Sequence, residues 1–206
     1  MYPILGFQVS SITPYLDTPD HLHNSFQKLA DIGYRDIQLQ GVPAELPDSE
    51  IVAALRESGL RCIATQEDIP LGFGANPDRA ISRAVACGSR YLTFAIIPQE
   101  VNSVDKLKEF AETICRINEK VKAAGLQFNY HPIEPDFRLM DGQPIFERLM
   151  SLLPQDIQLT FCVYAAHSAG FEPSSILKAY TGRIDLVHFK DSAPQPDGGN
   201  HLMPLG

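Results

Sequence analysis

Residues 121–131 read Val-Lys-Ala-Ala-Gly-Leu-Gln-Phe-Asn-Tyr-His, and the change of pattern at Gly125 decides the fold class. Upstream of it, Val104, Leu107, Phe110, Ile114, Ile117, Val121 and Ala124 recur at three- or four-residue steps. Lys106, Lys108, Glu109, Glu112, Arg116 and Glu119 fill the other face. This spacing predicts a helix with one buried stripe, which Asn102 or Ser103 can cap. A glycine just past a helix takes the left-handed conformation without steric cost and turns the chain directly into a strand, here Leu126 to Tyr130.

The same punctuation recurs along the chain. Gly33 precedes Tyr34 to Leu39, Gly59 precedes Leu60 to Ala64, Gly88 precedes Tyr91 to Ile96, and Gly182 precedes Ile184 to Phe189. One unit uses Leu153-Pro-Gln-Asp156 instead, before Ile157 to Val163. With Leu5 to Val9 as the first strand, seven strands alternate with six helices. Such alternation requires right-handed βαβ crossovers and a parallel sheet.

A doubly wound sheet and a barrel both meet that requirement. A dinucleotide-binding sheet carries GxGxxG after its first strand, and Gly6-Phe-Gln-Val does not match it; no GxxxxGK[ST] loop is present either. Polar residues instead collect after nearly every strand: Ser10 and Ser11, Gln38 and Gln40, Gln66 to Asp68, His131 and Glu134, Cys162 and Tyr164, His188 to Asp191. Side chains converging from many strand ends describe the C-terminal mouth of a (β/α)8 TIM barrel. The expected fold is therefore α/β, of (β/α)8 TIM-barrel type and lacking the eighth βα unit, in a single domain over residues 1–206. A full barrel takes about 250 residues. On this reading the chain is truncated, is completed by another chain, or forms an incomplete barrel.

Composition narrows the function classes. Of 206 residues, 44% are hydrophobic and 20% charged, as in an ordinary globular protein. Lys and Arg number 17 against 25 Asp and Glu, a net charge of −8, and there is no dense basic run. A phosphate backbone needs a positive patch, so nucleic acid is not an expected partner. No apolar run reaches the roughly 20 residues that span a bilayer. The first Lys or Arg is Lys28, so the charged start of a secretory signal is lacking. Four cysteines without a CxxC pair fit a reducing, cytoplasmic setting.

Three residues stand out for chemistry: His131, Cys162 and His188, at or near the ends of strands five, six and seven. Imidazole and thiolate are good ligands for zinc and similar metals. Their spacing alone leaves a second reading open, in which each His is hydrogen-bonded in the mouth and Cys162 is a small core residue. Glu134 and Asp136 are the acid/base candidates, with solvated loop carboxylates as the alternative. Lys190 is a candidate for holding an oxyanion or phosphate, or else for a structural ion pair.

Lys122 to His131, Gly182 to Asp191 and the Ile97-Pro-Gln-Glu100 turn resemble the sugar phosphate isomerase/epimerase family of xylose isomerase-like TIM barrels, a group that also includes AP endonuclease family 2. The resemblance runs from about Leu5 to Gly206, and its most specific parts are Tyr-His-Pro and His-Phe-Lys-Asp. It implies a divalent metal (manganese, zinc, cobalt or magnesium) held by strands five to eight. His131 matches the strand-five ligand and His188 the strand-seven histidine, while Cys162 stands where Asp is usual on strand six. The strand-eight Glu has no counterpart, and Met203-Pro-Leu-Gly206 is similar to the start of the segment that leads to it. Gln38 and Gln66 stand where Glu and His are common. Gln66, Tyr164 and Asp191 are the expected substrate contacts.

The implied activity is metal-assisted proton transfer on a keto-sugar or polyol, with a sugar or sugar phosphate as the small-molecule partner. The rival expectation is a degenerate barrel that binds a small polyol or serves as a partner subunit, and a homo-oligomer or a completing chain is compatible with either.

Overall fold

The computed structural model describes residues 4–194 and 200–205. Seven strands form one sheet: β1 (Gly6–Gln8), β2 (Asp36–Leu39), β3 (Arg61–Asp68), β4 (Tyr91–Ala95), β5 (Gln127–His131), β8 (Gln158–Cys162) and β9 (Ile184–His188). Their order in the sheet is their order in the chain. The β1–β2, β2–β3, β5–β8 and β8–β9 pairs are parallel. All seven sequence-predicted strands are present, with ends displaced by a few residues at most.

The chain divides into two compact units. The first takes residues up to Glu67, together with Ala75–Thr93 and Lys120–Gln127. Its core gathers Val9, Leu22, Phe26, Ile37 and Ile51 beneath α1 (Pro19–Ile32) and α2 (Asp48–Ser58). Thr18 caps α1 by accepting the His21 N–H, and Gly33, at φ +118°, ends it. Arg83 on α3 (Pro77–Ala86) is buried; it pairs with Asp48 at 2.8 Å and donates to the carbonyls of Val42, Pro43, Ala44 and Leu46. One guanidinium thus satisfies the loop ahead of α2, which leaves this cluster a structural role.

The second unit takes Asp68–Gly74, Phe94–Glu119 and the chain from Phe128 onward. Its core is aromatic. Phe94 stacks on Tyr130 at 4.7 Å, Phe128 packs against Phe94 and Phe73, and Phe137 packs against Phe146 and Phe171. The stripe predicted on α4 (Val104–Ala123) is buried at Leu107, Ile114, Ile117 and Val121, and Ser103 supplies the cap by accepting the Lys106 N–H.

Three local features differ from the sequence reading. The sixth predicted helix is two short ones, α6 (Val163–Ser168) and α7 (Pro173–Ala179), because Gly170 sits at φ +81° and Pro173 starts the second. Between η3 (Glu134–Phe137) and α5 (Ile145–Leu152) lies an unanticipated hairpin, β6 (Leu139–Met140) with β7 (Gln143–Pro144). Its two-residue turn, Asp141-Gly142, has both φ values positive, the Asp-Gly hairpin signal that the sequence carried. Of the Pro/Gly-rich loop expected from Ala193 to Asn200, the ends Ala193, Pro194 and Asn200 are strand residues, because β10 (Asp191–Pro194) and β11 (Asn200–Met203) pair antiparallel. Met203 accordingly pairs with Asp191. Residues 195–199 of that stretch, and Gly206, lie outside the described residues.

Candidate metal centre

Three strand ends of the second unit bring His131, Cys162 and His188 together. Each is the last residue of its strand (β5, β8 and β9), and Cys162 and His188 are register partners. Parallel strands in register deliver their last side chains to a common level, which is how residues this far apart in the chain can meet. The His131 Nε2 and His188 Nδ1 atoms lie 3.3 Å apart, with the rings edge to face and centroids at 4.6 Å. The candidate ligand atoms of all three residues lie within 4.8 Å of one another. All three residues are buried.

Electrostatics keep both imidazoles neutral. Burial, then the neighbouring His188 and Lys190, holds His131 well below the ordinary histidine range. Burial and the Lys190 charge bring His188 down to about 4. Burial pushes the Cys162 thiol up, against the Ala165 N–H, which donates to Sγ at 3.4 Å, and against Lys190. At neutral pH the cluster therefore presents two unprotonated imidazoles and a thiol that must shed its proton to bind an ion.

The donor set fits a soft divalent metal. Two nitrogens at about 2.0–2.1 Å from one tetrahedral zinc stand about 3.3 Å apart, the separation the two rings have here. One imperfection accompanies this fit. His131 Nδ1 is buried without a hydrogen-bond partner among the described residues. A metal-bound histidine normally donates its other N–H to an acceptor, and losing such a partner lowers affinity by about 10- to 100-fold.

The other predicted site residues are not among the converging donors. Lys190 is half-buried, and its charge acts on all three donors. Tyr164 lies in the first turn of α6 and is half-buried. Glu134, the first residue of η3, is exposed. Asp191 is exposed and accepts the Ser192 N–H at 2.8 Å. Gln66 belongs to the first unit, where it is buried and accepts from the Gln38 side chain at 3.5 Å.

Asp136 corrects the alternative of a solvated loop carboxylate, because it is fully buried. Its Oδ1 accepts the Ile97 N–H at 2.8 Å and its Oδ2 the Ile133 N–H at 3.3 Å. Burial raises it to about 6 against the pull of those N–H groups, Tyr130 and Arg138. Sequence reasoning missed Arg138, whose guanidinium donates to the carbonyls of Pro98, Val101 and Pro135. No local pattern marks an arginine that serves main-chain groups some 40 positions away.

No protein-family model and no curated protein matches the sequence. Solved structures do. The chain is similar to a sugar phosphate isomerase/epimerase from Parabacteroides distasonis, with 21% identity over 95% of this chain and 77% of that one and a TM-score of 0.78. It is similar to a xylose isomerase-like TIM barrel protein from Mycobacterium smegmatis in complex with magnesium, at 14% identity over 100% of this chain and 81% of that one, TM-score 0.69. It is also similar to an IolI protein with a bound zinc atom, at 12% identity over 95% and 76%, TM-score 0.67. Likeness at these identities shows the fold, and the fold is the xylose isomerase-like TIM-barrel type, of which this chain supplies seven parallel strands.

Proposed function

We propose that this protein is a metal-dependent isomerase or epimerase acting on a keto-sugar or polyol in a reducing, cytoplasmic setting. The observation that carries the reading is the meeting of His131, Cys162 and His188 on one point, with donor nitrogens 3.3 Å apart and both rings held neutral. These three residues would hold the ion. Bound there, a divalent ion would supply Lewis acidity toward vicinal oxygens of the substrate. The thiolate and imidazole donors favour zinc or cobalt over magnesium or manganese, which prefer oxygen ligands.

The chain's own residues do the rest. Lys190 would orient an anionic oxygen, since its positive charge already acts on the donor cluster. Glu134, exposed at the turn that follows β5, is the carboxylate left to move a proton between neighbouring carbons. Asp136 is committed to two backbone N–H groups and does not take that part. A second reading, metal-dependent binding of a small polyol without turnover, is favoured by this commitment of Asp136.

The deciding experiment measures metal content in the purified protein, then incubates the zinc- or cobalt-loaded protein with a panel of keto-sugars in deuterium oxide. Deuterium entering the carbon beside the carbonyl supports the isomerase reading. Metal uptake with no exchange on any sugar leaves the binding reading, and absence of metal uptake overturns both.

A further inference from the structure

The turn after β4 carries backbone strain. Ile96 has φ +69°, a left-handed conformation that a β-branched residue adopts only when its surroundings force it. The next residue, Ile97, is buried, and its N–H is the one held by Asp136 at 2.8 Å. Further along the same turn, the carbonyls of Pro98 and Val101 are held by Arg138 at 3.1 and 3.2 Å. Asp136 and Arg138 lie two positions apart, at and just beyond η3, and their own closest approach is 3.9 Å. An acid and a base from one short turn thus grip the donor and acceptor sides of another. The gripped turn follows β4, and the gripping turn follows β5, five residues after His131. The second Asp136 oxygen takes the N–H of Ile133, which ties the grip back to the segment that leaves His131.

Removing this carboxylate alone would leave the buried Ile97 N–H without its acceptor, a loss of stability that any structural carboxylate would share. What sets Asp136 apart is that it spans two strand-end turns, holding the residue next to the strained Ile96 with one oxygen and the segment that leaves His131 with the other. Strain of this kind collects where a site must be preorganised.

We propose that Asp136 is a positioning residue: by clamping the strained Ile96–Ile97 turn to the segment after β5, it fixes His131 at metal-binding distance from His188. The inference rests on the metal reading above, and the experiment separates the two. Cobalt(II) binding, followed by its visible absorption bands, is measured for the unaltered protein, for D136A and D136N, and for I114A, a truncation of a buried residue on α4 that controls for general destabilisation. D136A is expected to weaken cobalt binding at least tenfold and to change the visible bands. D136N keeps one acceptor for the Ile97 N–H, and is expected to recover part of that loss. I114A is expected to stay within twofold of the unaltered protein. Should D136A fail to fold, the comparison of D136N with I114A decides alone. Equal cobalt binding and unchanged bands in the Asp136 variants, or an equal loss in I114A, would overturn the positioning role while leaving the metal centre intact. A parent protein that takes up no cobalt overturns the metal reading and the positioning role together.

Discussion

The strand ends of the two units are furnished in opposite ways. In the first unit, Gln8 donates to Gln40, Ser10 donates to Gln8, and Gln38 donates to Gln66. These are neutral groups that satisfy one another. In the second unit, the strand ends carry two imidazoles and a thiol with a lysine charge close by, and one ring nitrogen has no partner among the described residues. Amides that pair with amides make a stable polar layer and need nothing further. Buried titratable groups forced into their neutral forms are poised for an ion. The difference teaches that position at a strand end does not make a site; buried side chains of metal-ligating type whose donor atoms converge do.

The largest expected effect breaks the second set directly. H131A or C162S should lower zinc affinity by at least about a hundredfold, since loss of outer-sphere support alone is worth 10- to 100-fold. Q38L, in the first set, should leave zinc affinity within twofold. Isothermal titration of the three variants checks this, and a large effect of Q38L would erase the contrast.

Acid stability sharpens it next. His188 titrates near 4 when folded and near 6.5 when unfolded, so between those values the unfolded chain binds more protons and stability falls as pH falls. Asp136 has the opposite sign: its folded value of about 6 exceeds the unfolded one of about 3.9, so it adds stability as pH falls through that window. Metal-free H188Q should therefore lose about 2–3 kcal/mol less than the parent between pH 7 and pH 4 in urea denaturation. An unchanged acid limb would mean that His188 is not held neutral.

A smaller effect reports on the thiol. Both imidazoles are neutral at pH 6 to 8 while the raised thiol remains protonated, so zinc uptake should release one proton. Zinc affinity should then rise about tenfold per pH unit across that range. A flat profile would remove Cys162 from the ligand set.

The smallest effect belongs to the amide layer. Q38L takes a donor from Gln66 and should cost about 1 kcal/mol in thermal or urea unfolding, with no change in its pH dependence.

Much of the architecture was legible along the chain, because helix stripes and the glycines after them are local signals. Gly33, Gly59, Gly88 and Gly125 have positive φ at the ends of α1 to α4, as that role requires, whereas Gly182, also at positive φ, lies beyond Tyr180, which closes α7. The Asp141-Gly142 hairpin was equally local and was passed over. The β10–β11 pairing was not legible, since strand pairing across a Pro/Gly-rich stretch depends on where its flanks are held. Among site residues, the types His, Cys and His at strand ends could be read from order alone.

Amino-acid order was enough for the alternation of helices and strands and for placing His131, Cys162 and His188 at strand ends, because those signals are local. A parallel sheet then followed from the handedness of βαβ crossovers. Only the folded chain decided that two rings stand 3.3 Å apart, that Asp136 is buried and grips Ile97, and that Gln66 pairs with an amide. Those outcomes turn on strand register, desolvation and packing between segments distant in sequence, where small displacements change both protonation and partner.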